Sequence, residues 1–182
     1  MPTPLTHAVA AAALAPVVLR RPISARVVAL GAVGSTLPDL DVLGFGFGIR
    51  YGDPLGHRGL THSIAFAALL SLLLLPLAAR ADSRRRLWLY LFLAVASHGI
   101  LDALTDGGLG VALLAPFDWS RYFFPWRPIR VAPIGVDAFF SERGRLVLAS
   151  ELLWVWVPSV AVAAVALLVR RPPRATVRGL SP

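Results

Sequence analysis

Five apolar runs constrain this 182-residue chain more than any other feature: residues 5–19, 27–43, 64–79, 87–105 and 146–169. Crossing a bilayer takes about 20 consecutive apolar residues, so runs of this length read as membrane helices. Hydrophobic residues make up 57% of the chain, too many for an ordinary soluble domain of this size. The expected fold is an all-α, multi-pass membrane helical bundle with about five spans. One domain covers residues 1–169, and a basic cytoplasmic tail, 170–182, is expected to be disordered. The first run is short, but no basic residue precedes it and Arg20-Arg21 follows it. A signal peptide has the opposite order, so a retained helix is expected.

The charge pattern orients the runs. All 18 cationic residues are Arg, and the net charge is +8. Arg20, Arg21 and Arg26 follow the first run; Arg80, Arg84, Arg85 and Arg86 separate the third from the fourth; Arg170, Arg171, Arg174 and Arg178 follow the fifth. Cations flanking apolar runs mark the cytoplasmic side of an inner membrane. This arrangement argues against a nucleic-acid partner and makes membrane lipids the natural surroundings. The N-terminus, a Gly-rich loop (45–59) and a polar-aromatic segment (107–145) then lie outside. Tyr and Trp favour the membrane interface, and that last segment holds Phe117, Trp119, Tyr122, Phe123, Phe124 and Trp126.

Against this apolar background, the few ionisable groups near helix ends stand out, because such groups are costly in a membrane and are kept for function. The alternating topology brings His7, Asp39, Asp41, His57, His62, His98 and Asp102 to the outer side. His98 and Asp102 are four apart and share a helix face, which Asp106 continues one turn later. His57 falls on the loop and His62 in the first turn of the third helix, which Thr61 can cap. Asp39 and Asp41 converge if Pro38 opens a turn; paired carboxylates repel unless a cation compensates them. The chain has no Cys, so any metal must be held by imidazole and carboxylate. Four His and three Asp give enough donors for two ions, each with three protein ligands and an open position. Two Zn²⁺ ions are expected. Arg58 and Arg121 either hold an anionic group or snorkel to the interface. Glu151 is either a proton-transfer group beside the site or a simple helix-end acid.

The strings Thr6-His7, Pro38-Asp39-Leu40-Asp41, His57-Arg58-Gly59-Leu60-Thr61-His62-Ser63 and His98-Gly99-Ile100-Leu101-Asp102 together resemble the membrane-bound metal-dependent hydrolase family. That family is also described as LexA-binding and inner-membrane-associated. Pro116-Phe117-Asp118-Trp119-Ser120-Arg121 looks like its further motif, and the similarity runs from Thr6 to about Glu151. The resemblance implies a bacterial inner-membrane hydrolase. It also implies distant similarity to the zinc-dependent phospholipase C superfamily, and hence phosphoester hydrolysis. The family's cytosolic partner finds only short Arg-rich turns and a tail to bind here, and the sequence identifies no protein partner.

The expected function is metal-dependent hydrolysis of a phosphoester in a lipid or lipid-linked substrate. The seven His and Asp residues hold metal, Arg58 or Arg121 holds the anion, and Asp106 or Glu151 moves a proton. The alternatives are a metal carrier or sensor, or a scaffold that binds a protein through residues 117–126. The topology is open to a direct check, because single cysteines can be introduced into a chain that has none. Ser83→Cys should be labelled by an impermeant thiol reagent only after cells are opened, and Gly46→Cys in intact cells once the outer membrane is permeable. The reverse pattern would invert the bundle.

Overall fold

The computed structural model describes residues 1–78, 82–132 and 140–170. Five helices match the five apolar runs. They are α1 (Pro4–Val18), α2 (Ala25–Gly34), α3 (Ile64–Leu74), α4 (Arg84–Ala103) and α5 (Glu142–Val169). No strand occurs among the described residues, only two isolated bridges, Thr105–Ile129 and Val111–Tyr122. The helix boundaries agree with local chemistry. Thr3, Ser83 and Ser141 cap α1, α4 and α5 with their hydroxyls. Ser63, not Thr61, caps α3 by accepting from Phe66 N–H (3.0 Å).

Two segments are long and apolar enough to cross a bilayer by themselves. One is Ala25–Phe47, in which α2 tightens into a 3₁₀ stretch at Leu37–Phe47; the other is α5. Pro4–Val18 and Ile64–Leu77 are shorter apolar helices. The helix α4 carries three Arg in its first turn and His98 and Asp102 near its end. In α5, Pro158 lacks an N–H, and its ring crowds the carbonyl four residues back. The helix accommodates this with a π turn at Leu152–Trp156.

The helices α1 and α4 form the centre. The first packs on α2, α4 and α5, and the second on α1, α2 and α3. Ala15, Leu19, Val27, Leu87, Tyr90 and Leu91 make the main apolar cluster. The helices approach closely where a side chain is missing: a Cβ on Gly31 would lie 2.6 Å from the Tyr90 ring. By contrast α5 leaves Leu153, Val157, Val160, Val165 and Leu168 exposed, as a lipid-facing helix does.

The two ends of the bundle are polar and different. At one end Asp82 accepts from the Arg20 N–H (2.7 Å) and pairs with Arg86 (3.2 Å). Arg170, assigned to the tail from sequence, instead caps α5. Its guanidinium donates to the α1 carbonyls of Leu19 (3.0 Å) and Val17, which helix geometry leaves without partners. The rest of the expected tail, 171–182, and Arg80 of the basic turn lie outside the described residues. At the other end, the chain after α4 folds over the bundle. Phe124 N–H donates to Ala103 O, Ala112 N–H to Arg58 O, Ile64 N–H to Leu113 O and Ala132 N–H to Met1 O. This cover presents the interfacial aromatics outward, with Phe117 90% exposed.

The Gly31–Tyr90 contact gives a stability test. Gly31→Ala should cost about 1–3 kcal/mol by overpacking, read as a lower unfolding midpoint in detergent. Adding Tyr90→Leu should recover part of it. An unchanged midpoint for the single variant would mean that α2 and α4 are not held this closely.

Candidate metal centre

Three local features deliver the ligands. The 3₁₀ stretch begins at Leu37-Pro38, and its three-residue turn sends Asp39 and Asp41 in different directions. They converge all the same, on opposite nitrogens of one imidazole, that of His62. This histidine sits on its own short 3₁₀ turn, Leu60–His62, just before α3 rather than inside it. The turn lies directly on α4, because Gly99 leaves room: a Cβ there would come within 2.3 Å of the His62 carbonyl oxygen. His98 and Asp102, one helical turn apart on α4, both face the turn, as their spacing predicts.

Around His62 Nε2 stand His98 Nε2 at 3.0 Å, Asp102 Oδ2 at 3.4 Å and Asp39 Oδ1 at 3.5 Å. Asp39 Oδ1 also lies 3.4 Å from His98 Nε2. His7, from the first turns of α1, stacks on His98 with ring centroids 3.8 Å apart and places Nε2 3.7 Å from Asp102 Oδ1. The far sides of the rings are anchored. His98 Nδ1 lies 2.7 Å from Ser35 O and can only donate to it, which turns Nε2 toward His62. Asp41 Oδ2 lies 3.2 Å from His62 Nδ1 and accepts from the Thr61 hydroxyl (2.7 Å), while Asp41 Oδ1 lies 2.7 Å from His57 Nδ1. All of these donors are buried except Asp41 and Thr61, which are only partly exposed as residues.

The arrangement has the electrostatics of a cation site. Both carboxylate oxygens of Asp39 and Asp102 and both ring nitrogens of His7 are buried without a well-formed hydrogen bond, although Arg58 pairs with Asp102 and the His62 and His98 rings lie against Asp39. Such groups are costly unless something compensates them. Burial opposes the imidazolium form of His62, yet its carboxylate partners Asp102, Asp39 and Asp41 outweigh burial and push its pKa up to about 10. The 3.0 Å contact between the His62 and His98 Nε2 atoms is satisfied by a proton on His62 and brings both nitrogens to where one ion could replace that proton. Asp39, His62, His98 and Asp102 bring one ligand atom each within 4.8 Å of one another, as do Asp41, His57 and His62. A buried Asp/His cluster able to bind a metal ion is therefore present. All seven expected ligands belong to it or touch it.

The other expected site residues lie around this cluster. Arg58 is fully buried and has a left-handed backbone (φ 63°). Its Nε lies 3.0 Å from Asp102 Oδ2, and its other nitrogens donate to Gly107 O (2.8 Å) and Thr105 Oγ1 (3.0 Å). It is tied to a candidate ligand and does not snorkel. Arg121 donates to the carbonyls of His57 (3.0 Å), Tyr51 (3.1 Å) and Asp53 (3.3 Å), pinning the ligand loop. Asp106 does not continue the His98–Asp102 face, because α4 ends at Ala103; it is exposed and accepts from Val131 N–H (2.8 Å). Glu151 is buried against the start of α1, accepting from Thr3 N–H (2.6 Å), Thr3 Oγ1 (2.7 Å) and Thr6 Oγ1 (2.7 Å). It sets the position of the helix that carries His7. Sequence reasoning missed Ser35, Thr61 and Thr105 as supports. A carbonyl anchor leaves no sequence signal, whereas the Thr beside His62 was visible and was given the wrong partner.

Comparison with known proteins agrees with this picture of a helical membrane chain. The inner membrane protein YbcI of Escherichia coli (strain K12) is 40% identical over 162 residues, covering 88% of this chain and 94% of that protein. No solved structure matches. The model of the YdjM inner membrane protein family matches residues 1–173, and the chain belongs to that family.

Proposed function

We propose that this inner membrane protein is a metal-dependent hydrolase acting on a phosphoester in a lipid or lipid-linked substrate. The observation that carries the reading is the buried convergence of Asp39 and Asp102 on the His62–His98 pair, one ligand atom from each of the four lying within 4.8 Å of the others, with His7 beside Asp102. In a membrane protein an apolar core would be cheaper, so a buried cluster of this kind supports function over structure. The donors are nitrogen and oxygen only, which suits Zn²⁺ and related divalent ions. A divalent ion there supplies Lewis acidity toward a phosphoryl oxygen and lowers the pKa of water.

The chain's own residues have separable roles. Asp39, His62, His98 and Asp102 hold the first ion, with His7 beside them. Ser35 and Asp41 fix the ring orientation of His98 and His62, as outer partners of metal-binding histidines do. Arg58 positions Asp102. Asp41 and His57 offer, with His62, a place for a second ion, and otherwise form a carboxylate–imidazole pair that can hold a proton. Five crossings with the site on the outer side remain the arrangement the Arg clusters favour.

One observation supports a non-catalytic metal centre instead. The guanidinium of Arg58 is already committed to Asp102, Thr105 and Gly107, so it has little left for a substrate anion. Such a centre serves a metal carrier, a sensor or a protein-binding scaffold.

Elemental analysis of protein purified without chelator should find about two transition-metal ions per chain. His98→Ala should lose the first, and His57→Ala only the second. One ion in the parent, retained in His57→Ala, would make Asp41–His57 an orienting pair. No metal in the parent would remove the proposal. A second measurement separates catalysis from binding. The metallated protein should hydrolyse a lipid phosphate, and Arg58→Ala should lower both metal affinity and turnover about 10–100-fold, as loss of an outer partner does. Full metal content with no turnover of lipid phosphates, phosphodiesters or nucleotides would favour the non-catalytic centre.

A further inference from the structure

His7 is held differently from the other histidines of the cluster. His57, His62 and His98 each have a ring nitrogen fixed by Asp41 or by Ser35 O. Neither nitrogen of His7 makes a hydrogen bond; Nε2 lies 3.7 Å from Asp102 Oδ1, and the ring stacks on His98. The direction of this imidazole therefore depends on the rotation of α1 about its own axis. That rotation is gripped at the preceding residue. The Thr6 hydroxyl is fully buried, donates to Glu151 Oε2 (2.7 Å) and accepts from Trp156 Nε1–H (2.7 Å). Both partners come from α5.

Glu151 and Trp156 are five residues apart. In an α-helix of 3.6 residues per turn, positions five apart point about 140° away from each other. A regular helix would thus turn the indole away from Thr6 while Glu151 faced it. A π turn closes its hydrogen bonds five residues along, and so returns such positions to one side. The π turn of α5, Leu152–Trp156, fills the interval between these two residues. Pro158 loosens the helix here, and the turn that results is the one that aligns the pair.

We propose that Trp156, presented by the π turn, is a positioning residue for His7: it locks Thr6 against Glu151 and so fixes the rotation of α1 at the metal centre. The proposal rests on the metal-binding half of the reading above and is independent of hydrolysis. The Glu151 carboxylate also accepts from Thr3 N–H (2.6 Å) and Thr3 Oγ1 (2.7 Å). Alone, it holds the start of α1 from one point and leaves a hinge; the indole supplies the second point. Thr6 and His7 are consecutive, about 100° apart around the helix, so any turn of this segment carries the imidazole with it. A site ligand has to be held within about 0.5 Å and 10–20°.

The test is the Zn²⁺ affinity of the full chain in detergent, measured by competition with a chromophoric chelator. Trp156→Phe keeps an aromatic ring and removes the N–H. It should weaken Zn²⁺ about tenfold, the low end of what loss of an outer partner does. Trp154→Phe, the same change at an exposed position two residues away, should leave the affinity alone. Thr6→Val should weaken Zn²⁺ at least as much as Trp156→Phe, and Thr6→Ser should restore it by keeping the hydroxyl. In a His7→Ala background Trp156→Phe should have no further effect, because changes that act through one group do not add. A tie that only holds the bundle together would weaken Zn²⁺ equally with or without His7, and that result would overturn the proposal. Parent affinity in both Trp156→Phe and Thr6→Val would overturn it as well. A parent chain that binds no Zn²⁺ would remove the metal reading and the positioning role with it, whereas tight binding by parent and variants alike would remove the positioning role alone.

Discussion

The need to compensate buried charge at one point, His62, organises this molecule. Three carboxylates from two segments face a single imidazole, and a buried guanidinium balances one of them from behind. Removing one partner from such a group leaves an uncompensated charge, which costs far more than the pair itself returns. The close approach at Gly99, the Arg58 side chain and the Arg121 staple on the ligand loop are all consequences. Each holds one ionised or hydrogen-bonding group where the next one needs it. The apolar clusters between α1, α2 and α4 supply the frame, but they do not determine where the polar end must close.

Much of this was legible in the sequence, for physical reasons. Apolar runs and Arg clusters obey length and charge rules that need no tertiary information, so four helices were found to within about five residues, while the second run, expected to 43, is α-helical only to Gly34 and goes on as the 3₁₀ stretch. The i, i+4 pair His98–Asp102 was readable because helix geometry is fixed. Asp39 and Asp41 were expected to converge through a turn at Pro38; they instead leave the 3₁₀ stretch in different directions and meet opposite nitrogens of His62. Less legible was everything that depends on where a helix stops. Asp106 looked like a continuation of the ligand face because the end of α4 carries no capping signal of its own; backbone bonds from Phe124 and Ile129 mark it instead. Glu151 was placed near the site, but its partners lie 145 and 148 residues away, beyond any local pattern. Arg58 and Arg121 were recognised as special from type and position. Their hydrogen bonds run to carbonyls and to Asp102, which composition cannot reveal.

The family match and the site inform different levels. The match establishes an inner membrane protein over nearly the whole chain. The chemistry comes from the residues alone. In a bundle where most side chains face lipid or each other, the His/Asp cluster is the part that packing does not explain.

The cover over the polar end has a consequence for how the chain is made. The candidate ligands lie between residues 7 and 102, whereas the segment that roofs them, and Glu151 that steadies α1, come later. A chain emerging from the N-terminus therefore presents bare histidines and aspartates before anything shields them. Loop closure over so long a separation is slow compared with helix formation. Until the later segments arrive, those donors lack the backbone cover and the Glu151 contact that enclose them in the folded chain.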